Sequence, residues 1–166
     1  MPAGFTIVEL LIVVVVIAIL TAITAMVFTG IQNRTNDSAV QSDLANIARK
    51  IKLFYVINNR YPQGFADMTS ADIRVTKVAY SRGFNNGTSW YNAVYCWPNS
   101  ASPDQFAIVA QSKSGNTFQY SGGKVSQAAY AFTVGSPSIC LAAGVDISTS
   151  GRDWFYDSDT WQTYAK

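Results

Sequence analysis

The N-terminal part of the chain contains a long run of apolar positions. Residues 10–28 include no charged side chain, and only Thr21 and Thr24 interrupt the apolar run. At a rise of about 1.5 Å per residue, such a run can cross the roughly 30 Å apolar core of a bilayer. It is too long for a cleavable secretory signal, and no basic residue precedes Arg34. The pattern therefore predicts a transmembrane helix that stays attached.

One carboxylate, Glu9, stands directly ahead of this run and is the only glutamate in the chain. A lone carboxylate buried in hydrocarbon costs several kcal/mol or more, so a charge at such a place calls for a partner. The alternative interpretation is an acid that extends its carboxylate to water at the membrane edge.

A second helical pattern follows the apolar run. Five large apolar side chains recur at spacings of four, three, four and three residues: Val40, Leu44, Ile47, Ile51 and Phe54. Polar side chains fill the positions between them: Gln41, Asp43, Asn46, Arg49 and Lys50. This period predicts an amphipathic helix that ends near Asn58, ahead of the turn signal at residues 61–64. Residues 30–38 have weak helix propensity, so the chain has either a bend or a frayed turn there or one helix from residue 5 to about residue 58.

The remainder of the chain is dominated by strand signals. The predicted strands are a short one at 73–78 and further ones at 90–97, 105–112, 117–120 and 129–134. Turn signals lie at residues 114–116 and 121–124. The last stretch, residues 147–166, shows no clean period. The predicted fold class is α+β, with a long N-terminal helix packed through its amphipathic half on an antiparallel sheet of three to four strands.

Composition narrows the chemistry. The chain has no histidine, which removes His-based acid–base catalysis, Ser-His-Asp and Cys-His nucleophiles and the commonest zinc ligand. No constellation of Asp, Ser and Lys stands out, so the sequence does not predict an enzyme. After residue 30 the chain holds twelve basic and nine acidic side chains, a net +3 that does not by itself indicate a nucleic acid or an anionic lipid.

The chain has two cysteines, Cys96 and Cys140, which are too few for a four-cysteine zinc site and too far apart for a CxxC motif. In a domain held outside the cytoplasm, a structural disulfide is the expected use. Two separate buried thiols are the alternative.

The N-terminal residues carry a family resemblance. Gly4 followed by Phe5-Thr6-Ile7-Val8-Glu9, the uncharged run, the amphipathic helix, the Tyr-Pro turn and the small sheet together resemble the type IV pilin and pseudopilin family. The resemblance implies that a prepilin peptidase cuts between Gly4 and Phe5 and methylates the new amine of Phe5. It also implies that Glu9 pairs with that amine on a neighbouring subunit during assembly.

By this resemblance the chain divides into four parts: a leader remnant (1–4), a transmembrane and filament-core helix half (5–30), an amphipathic helix half (31–58) and a β-rich globular head (59–166). The implied function is a structural subunit of a pilus used for adhesion, twitching motility or DNA uptake. It would lie in the cytoplasmic membrane before assembly and in an extracellular filament afterwards. Its expected partners are related subunits, the peptidase and the assembly machinery. The alternatives are a pseudopilin of a secretion or competence system and a monomeric membrane-anchored binding module, and major versus minor pilin stays open.

Two further patterns admit a functional interpretation. Asp153, Asp157 and Asp159 have a spacing that can hold calcium, with no other metal or cofactor expected, although a solvated acidic loop is the favoured interpretation. Aromatic side chains interleaved with arginines could form a DNA-binding surface, or the aromatics could be core. These residues are Tyr80, Trp90, Tyr91, Tyr95, Trp97, Trp154, Tyr156 and Trp161, with Arg74, Arg82 and Arg152.

Overall fold

The structure is a computed structural model that describes residues 4–85, 90–98, 105–132, 138–146, 151–157 and 160–166. It divides into two compact units, Met1–Arg34 and Thr35–Lys166. We call these the N-terminal unit and the C-terminal unit. The predicted α+β fold class is confirmed, because a long N-terminal helix is followed by an antiparallel sheet.

The first element, helix α1, spans Ile7–Asn58. It ends at a left-handed residue, Asn59, whose φ is 51° and whose N–H donates to the carbonyl of Tyr55 at 2.7 Å. Asparagine tolerates this conformation, which is a common way to stop a helix. The predicted end near Asn58 is therefore confirmed. Residues 30–38 are helical, so of the two alternatives the single helix is confirmed and the frayed turn is wrong.

In the described part of the chain, three short helical elements accompany the strands: α2 (Gly64–Ser70), a 3-10 turn (Lys77–Ala79) and α3 (Ser138–Ala142). The strands are β1 (Phe84–Asn85), β2 (Trp90–Tyr91), β3 (Ala93–Trp97), β4 (Ala107–Gln111), β5 (Thr117–Ser121), β6 (Lys124–Gln127), β7 (Gly151–Trp154), β8 (Tyr156–Asp157) and β9 (Thr160–Trp161). The main sheet is antiparallel, in the order β6-β5-β4-β3-β7. Two small hairpins, β1-β2 and β8-β9, lie outside it.

The two tight turns of the main sheet are those the sequence predicts. Gly115 lies between β4 and β5 with a φ of 95°, and Gly122 and Gly123 join β5 to β6 with φ values of 57° and 85°. Consecutive positive φ values give a turn whose twist matches the strands, and glycine adopts them without steric cost. These glycines set the register in which Tyr120 pairs with Ile108 and Val125.

Both faces of the central strands β3 and β4 are buried. The face that packs with α1 contributes Tyr95, Trp97, Ile108, Ala110, Phe118 and Tyr120 to one core that also holds Val40, Leu44, Ile47 and Ile51. The opposite face contributes Val94, Cys96, Ala107 and Val109 to a second core with Ile139 and Cys140 of α3. The alternation of side chains along each strand divides them between the two cores. Helix, sheet and α3 thus form three layers.

The predicted disulfide forms between Cys96 on β3 and Cys140 on α3, whose Cα atoms are 5.8 Å apart. It joins residues 44 apart in sequence. In the chain-entropy model a loop of this length contributes about 4 kcal/mol to stability. The bond therefore holds the third layer on the sheet.

Three sequence predictions about strands differ from the structure. Residues 73–78 are not a strand: Lys77 and Val78 belong to the 3-10 turn, and among the described residues only Ile73 and Val75 make backbone-to-backbone bonds to another segment, at Lys166. Residues 129–132 are not a strand either, and 133–134 lie outside the described residues. The main sheet has five strands instead of three to four, since β7 from the unassigned C-terminal stretch pairs with β3.

Candidate assembly site at the N-terminus

The described large apolar side chains of the N-terminal unit are exposed. The large apolar side chains from Phe5 to Ile31 whose surroundings the structure describes are 47–89% exposed. The hydroxyls of Thr21 and Thr24 donate to the carbonyls of Ile17 and Leu20, each at 2.7 Å. These bonds satisfy the hydroxyl hydrogens inside the helix, as an apolar environment demands. By length and composition, α1 is able to cross a membrane.

Glu9 takes part in a capping box with Thr6 at the start of α1. The Thr6 hydroxyl accepts from the Glu9 N–H at 3.2 Å, and Oε2 of Glu9 accepts from the Thr6 N–H at 2.8 Å. Oε2 also accepts from the Thr6 hydroxyl at 2.8 Å. The reciprocal bonds satisfy two backbone donors that a helix start otherwise leaves unpaired. Sequence reasoning missed this role, although the Thr-x-x-Glu spacing was there to indicate it.

The predicted cleavage residues, Gly4 and Phe5, lie just outside the helix and are both exposed. Nothing lies within 4 Å of a Cβ added to Gly4, and its φ is outside the left-handed region. The fold therefore gives no steric reason for glycine at this position. Thr6 and Glu9 both follow the predicted cut, so the capping box is independent of the Gly4–Phe5 bond.

Two acidic side chains on α1 serve the C-terminal unit instead. Asp43, expected on the polar face, is 7% exposed and accepts from the N–H of Thr76 at 2.6 Å and the hydroxyl of Tyr80 at 3.1 Å. Its position beside Leu44 and Ile47 was the signal for burial. Burial raises the pKa of Asp43 above its usual value, although the hydrogen bonds from Thr76 and Tyr80 act in the opposite direction. Burial and the charge of Asp43 raise the pKa of Tyr80 well above its usual value.

Asp37 holds the β4-β5 turn against α1. Its carboxylate accepts from the Ser114 hydroxyl and, at 2.9 Å, from the Asn116 amide. Partial burial raises the pKa of this carboxyl, but hydrogen bonds from Ser114, Ser112 and Asn116 outweigh it and bring the pKa below its usual value. No local pattern indicates this contact, because the partners are 77 and 79 residues apart.

The calcium prediction falls largely outside the described residues. Asp159 and the side chains of Asp153 and Asp157 lie there, and the backbones of the latter two belong to β7 and β8. Among the described residues, no group of three or more His, Cys, Asp or Glu side chains could hold a metal ion. The calcium site stays a prediction.

The aromatic residues proposed for DNA do not form one surface. Tyr80, Tyr95 and Trp97 are at most 8% exposed and belong to the core, as the alternative interpretation predicts. Trp90 and Tyr91 are half-buried, with the Arg82 guanidinium 4.9 Å from the Trp90 ring centre. The side chains of Trp154, Tyr156 and Arg152 lie outside the described residues, and Trp161 packs edge-on against Tyr80.

The sequence is similar to a family motif and to a known pilus protein. The prokaryotic N-terminal methylation motif covers residues 2–25. The type IV wide pilus major component PilA4 of Thermus thermophilus is 30% identical over 104 residues, which cover 54% of this chain and 79% of the relative. No solved structure matches the chain.

The exposed apolar helix, the N-terminal methylation motif and the helix-on-sheet fold together define a class of structural subunits. The chain belongs to the type IV pilin family. This is a family of structural subunits and not of enzymes, so the predicted absence of an enzyme activity follows from the family.

Proposed function

We propose that the chain is a structural subunit of a type IV pilus, cut between Gly4 and Phe5, methylated on the amine of Phe5 and polymerised through its apolar helix. The observation that carries this proposal is the N-terminal unit itself. It combines an apolar surface exposed all round with one carboxylate at its start, in a member of the pilin family. The relative is named as a major component of a wide pilus.

The exposed apolar surface needs cover from outside the molecule. Lipid covers it before assembly, when the peptidase and the assembly machinery act on the subunit in the cytoplasmic membrane. The apolar helices of neighbouring subunits cover it in the filament. The contact is head-to-tail, because a heterologous interface that does not close into a ring propagates as a fibre. Residues 5–30 then form the filament core, residues 31–58 the amphipathic helix half, and residues 59–166 the outer head.

The geometry of Glu9 suits it to a second bond. Both Thr6 donors reach Oε2, which leaves Oε1 able to accept from a cation. Cleavage after Gly4 creates such a cation at Phe5. A carboxylate and an ammonium that meet among apolar helices neutralise one another, whereas either alone is an unpaired buried charge. We infer that Glu9 caps its own helix and pairs with the Phe5 amine of a neighbouring subunit.

A second apolar surface supports assembly in the C-terminal unit. Leu53, Val56 and Ile57 are 57%, 76% and 72% exposed and share one face of α1, which we call the aliphatic stripe. It lies away from the buried face that contains Ile51 and Phe54. The aliphatic stripe lies on the same helix, α1, as the first apolar surface. We therefore propose that a neighbouring subunit covers the stripe in the filament.

The decisive experiment is mass spectrometry of the N-terminus in filaments sheared from the cell surface. We expect an N-methylated Phe5 in the main filament protein. A chain that still begins with Met1 and stays in the membrane fraction would contradict the proposal and favour a monomeric anchored module. Short filaments confined to the periplasm would favour a pseudopilin.

Substitutions at Glu9 separate its two roles. Glu9→Gln keeps a capping side chain but removes the charge, whereas Glu9→Ala removes both. We expect both variants, expressed as the only copy, to be cleaved normally and to form at least about tenfold fewer filaments, because the buried amine loses its counter-charge. Thr6→Ser, which retains the cap, serves as the control. Normal filament numbers with Glu9→Gln would show that the charge pair is not needed.

A further inference from the structure

A groove lies in the C-terminal unit between α1 and the segment that follows α2. Its cavity has a volume of about 490 Å³. The α1 wall includes Asn46, Arg49, Lys50 and Leu53, and the facing wall includes Asp72 and Arg74. The volume falls within the range of about 300–1,000 Å³ that is typical of small-molecule sites.

The ionic side chains at this groove are not balanced. Oδ1 of Asp72 accepts from the Lys166 ammonium at 3.0 Å, a normal hydrogen-bond length. Oδ2 has Lys50 Nζ at 3.8 Å and Arg74 Nε at 3.6 Å, which are both beyond hydrogen-bond length. Three cations therefore share one carboxylate. Lys50 and Arg74 approach the same oxygen from opposite walls of the groove without a hydrogen bond to it.

The charge of the other acidic side chain of the groove, Asp43, is offset by that of Arg49. Asp43 is buried, and its oxygens are engaged by Thr76 and Tyr80. Arg49 lies on the α1 wall, where its guanidinium bonds to Asn46 and to the carbonyl of Ala45. The groove therefore presents a surplus of positive charge beside an apolar wall at Leu53, which is 57% exposed.

We propose that this groove binds a phosphate monoester of about monosaccharide size, with the phosphate between Lys50 and Arg74. A phosphate monoester carries about −1.5 to −2 charges at pH 7, which matches the two positive charges left over by Asp72. A carboxylate supplies only half of that charge. The groove is larger than a phosphate ion, and the C–H faces of a sugar can pack on Leu53 while its hydroxyls bond to Asn46. Because Leu53 also belongs to the aliphatic stripe, the proposal concerns the free subunit, in which no neighbouring subunit covers this side chain.

The test is calorimetric titration of the full chain in detergent with glucose 6-phosphate. Three other probes are titrated in parallel. Inorganic phosphate tests the anion without the sugar, glucose tests the sugar without the anion, and glucuronate tests a sugar that carries a carboxylate instead. The variants Lys50→Gln and Arg74→Gln are compared with Lys124→Gln, which removes an exposed lysine of β6. Near-ultraviolet circular dichroism checks that each variant is folded.

We expect glucose 6-phosphate to bind more tightly than the other three probes. Loss of one charge-assisted hydrogen bond should weaken its binding by at least about tenfold in Lys50→Gln and in Arg74→Gln, and leave it unchanged in Lys124→Gln. Absence of binding would overturn the proposal. Equal binding of phosphate or glucuronate, or an equal loss in all three variants, would overturn it as well. Preferential binding of a short DNA duplex would replace it with a nucleic-acid surface.

Discussion

The two units of this chain differ in whether their large apolar side chains are exposed or buried. In the N-terminal unit the large apolar side chains from Phe5 to Ile31 whose surroundings are described are at least 47% exposed, and the one acidic group closes a local cap. In the C-terminal unit, side chains of the same types, such as Ile51 and Ile108, are fully buried. The apolar side chains of the N-terminal unit can be buried only by contact with other molecules, whereas those of the C-terminal unit form a core within the chain.

The difference shows that helix formation and burial are separate properties of a sequence. Helix α1 runs through both units, so its backbone bonds are alike in both. What changes is the arrangement of polar residues, which are nearly absent from residues 10–28 and alternate with apolar ones from Val40 onward. An apolar surface on all sides requires partners all round, while a one-sided surface packs on one sheet.

A matched pair of isoleucines in α1 tests this comparison with the largest expected effect. Ile51 is 0% exposed and Ile17 is 56% exposed. We expect Ile51→Ala to lower the free energy of unfolding of the C-terminal unit by about 2–5 kcal/mol, because it leaves a cavity in the core. Ile17→Ala should change that free energy by no more than about 0.5 kcal/mol.

The measurement is guanidinium unfolding of the full chain in detergent, followed by tryptophan fluorescence. All four tryptophans lie in the C-terminal unit, so the signal reports on that unit. Equal losses of stability in the two variants would mean that the exposed helix contributes to the stability of the C-terminal unit.

The features that could be predicted from sequence are those with local physical causes. The end of α1 follows from Asn59 and the Tyr-Pro turn, and the hairpin turns follow from glycines with positive φ. Residues 151–154 became strand β7 although they show no alternation, because β3 offers an edge that they cover. Such pairing depends on contacts between distant residues that no local pattern encodes.

The candidate site follows the same division. Gly4, Phe5 and Glu9 could be singled out from a local motif, and their processing and assembly roles stay predictions. The capping box is equally local, since Thr6 and Glu9 have its spacing, but a charge beside an apolar run suggests a distant partner first. The burial of Asp43 and the bonds of Asp37 to Ser114 and Asn116 could not be predicted, because they depend on where the sheet meets α1.

A substitution at Asp37, in the C-terminal unit, should have an effect of intermediate size on the free energy of unfolding. In Asp37→Asn the new amide presents a donor to groups that donate, so we expect a loss of about 1–3 kcal/mol in the free energy of unfolding at pH 7. Because the folded-state pKa of Asp37 is lowered, its contribution is present above the unfolded-state pKa of about 3.9 and is lost as the pH falls through the folded-state value.

The difference between wild type and Asp37→Asn should therefore be constant from pH 7 to pH 5 and shrink below about pH 4. Fluorescence-monitored unfolding across this range measures it. A double-mutant cycle with Ser114→Ala isolates the contact itself, since the two changes should not add if they remove the same hydrogen bond. A difference that grows on acidification would contradict the assigned direction of the pKa.

The smallest effect on stability is expected at the aliphatic stripe. Here the comparison is between two exposed valines of the C-terminal unit, one inside the stripe and one outside it. Val56 and Val78 both lie in the C-terminal unit and are 76% and 77% exposed, but only Val56 belongs to the stripe. Val56→Asp and Val78→Asp should each change the free energy of unfolding by no more than about 0.5 kcal/mol, because neither side chain is buried within the subunit. If a neighbouring subunit covers the stripe, Val56→Asp places an unpaired charge in that contact and should reduce the number of surface filaments by at least about tenfold, whereas Val78→Asp should not. Equal filament numbers in the two variants would mean that the aliphatic stripe makes no contact in assembly. A loss of filaments in Val56→Asp alone would mean that the C-terminal unit, although it has its own buried core, also needs a neighbouring subunit to cover this face of α1.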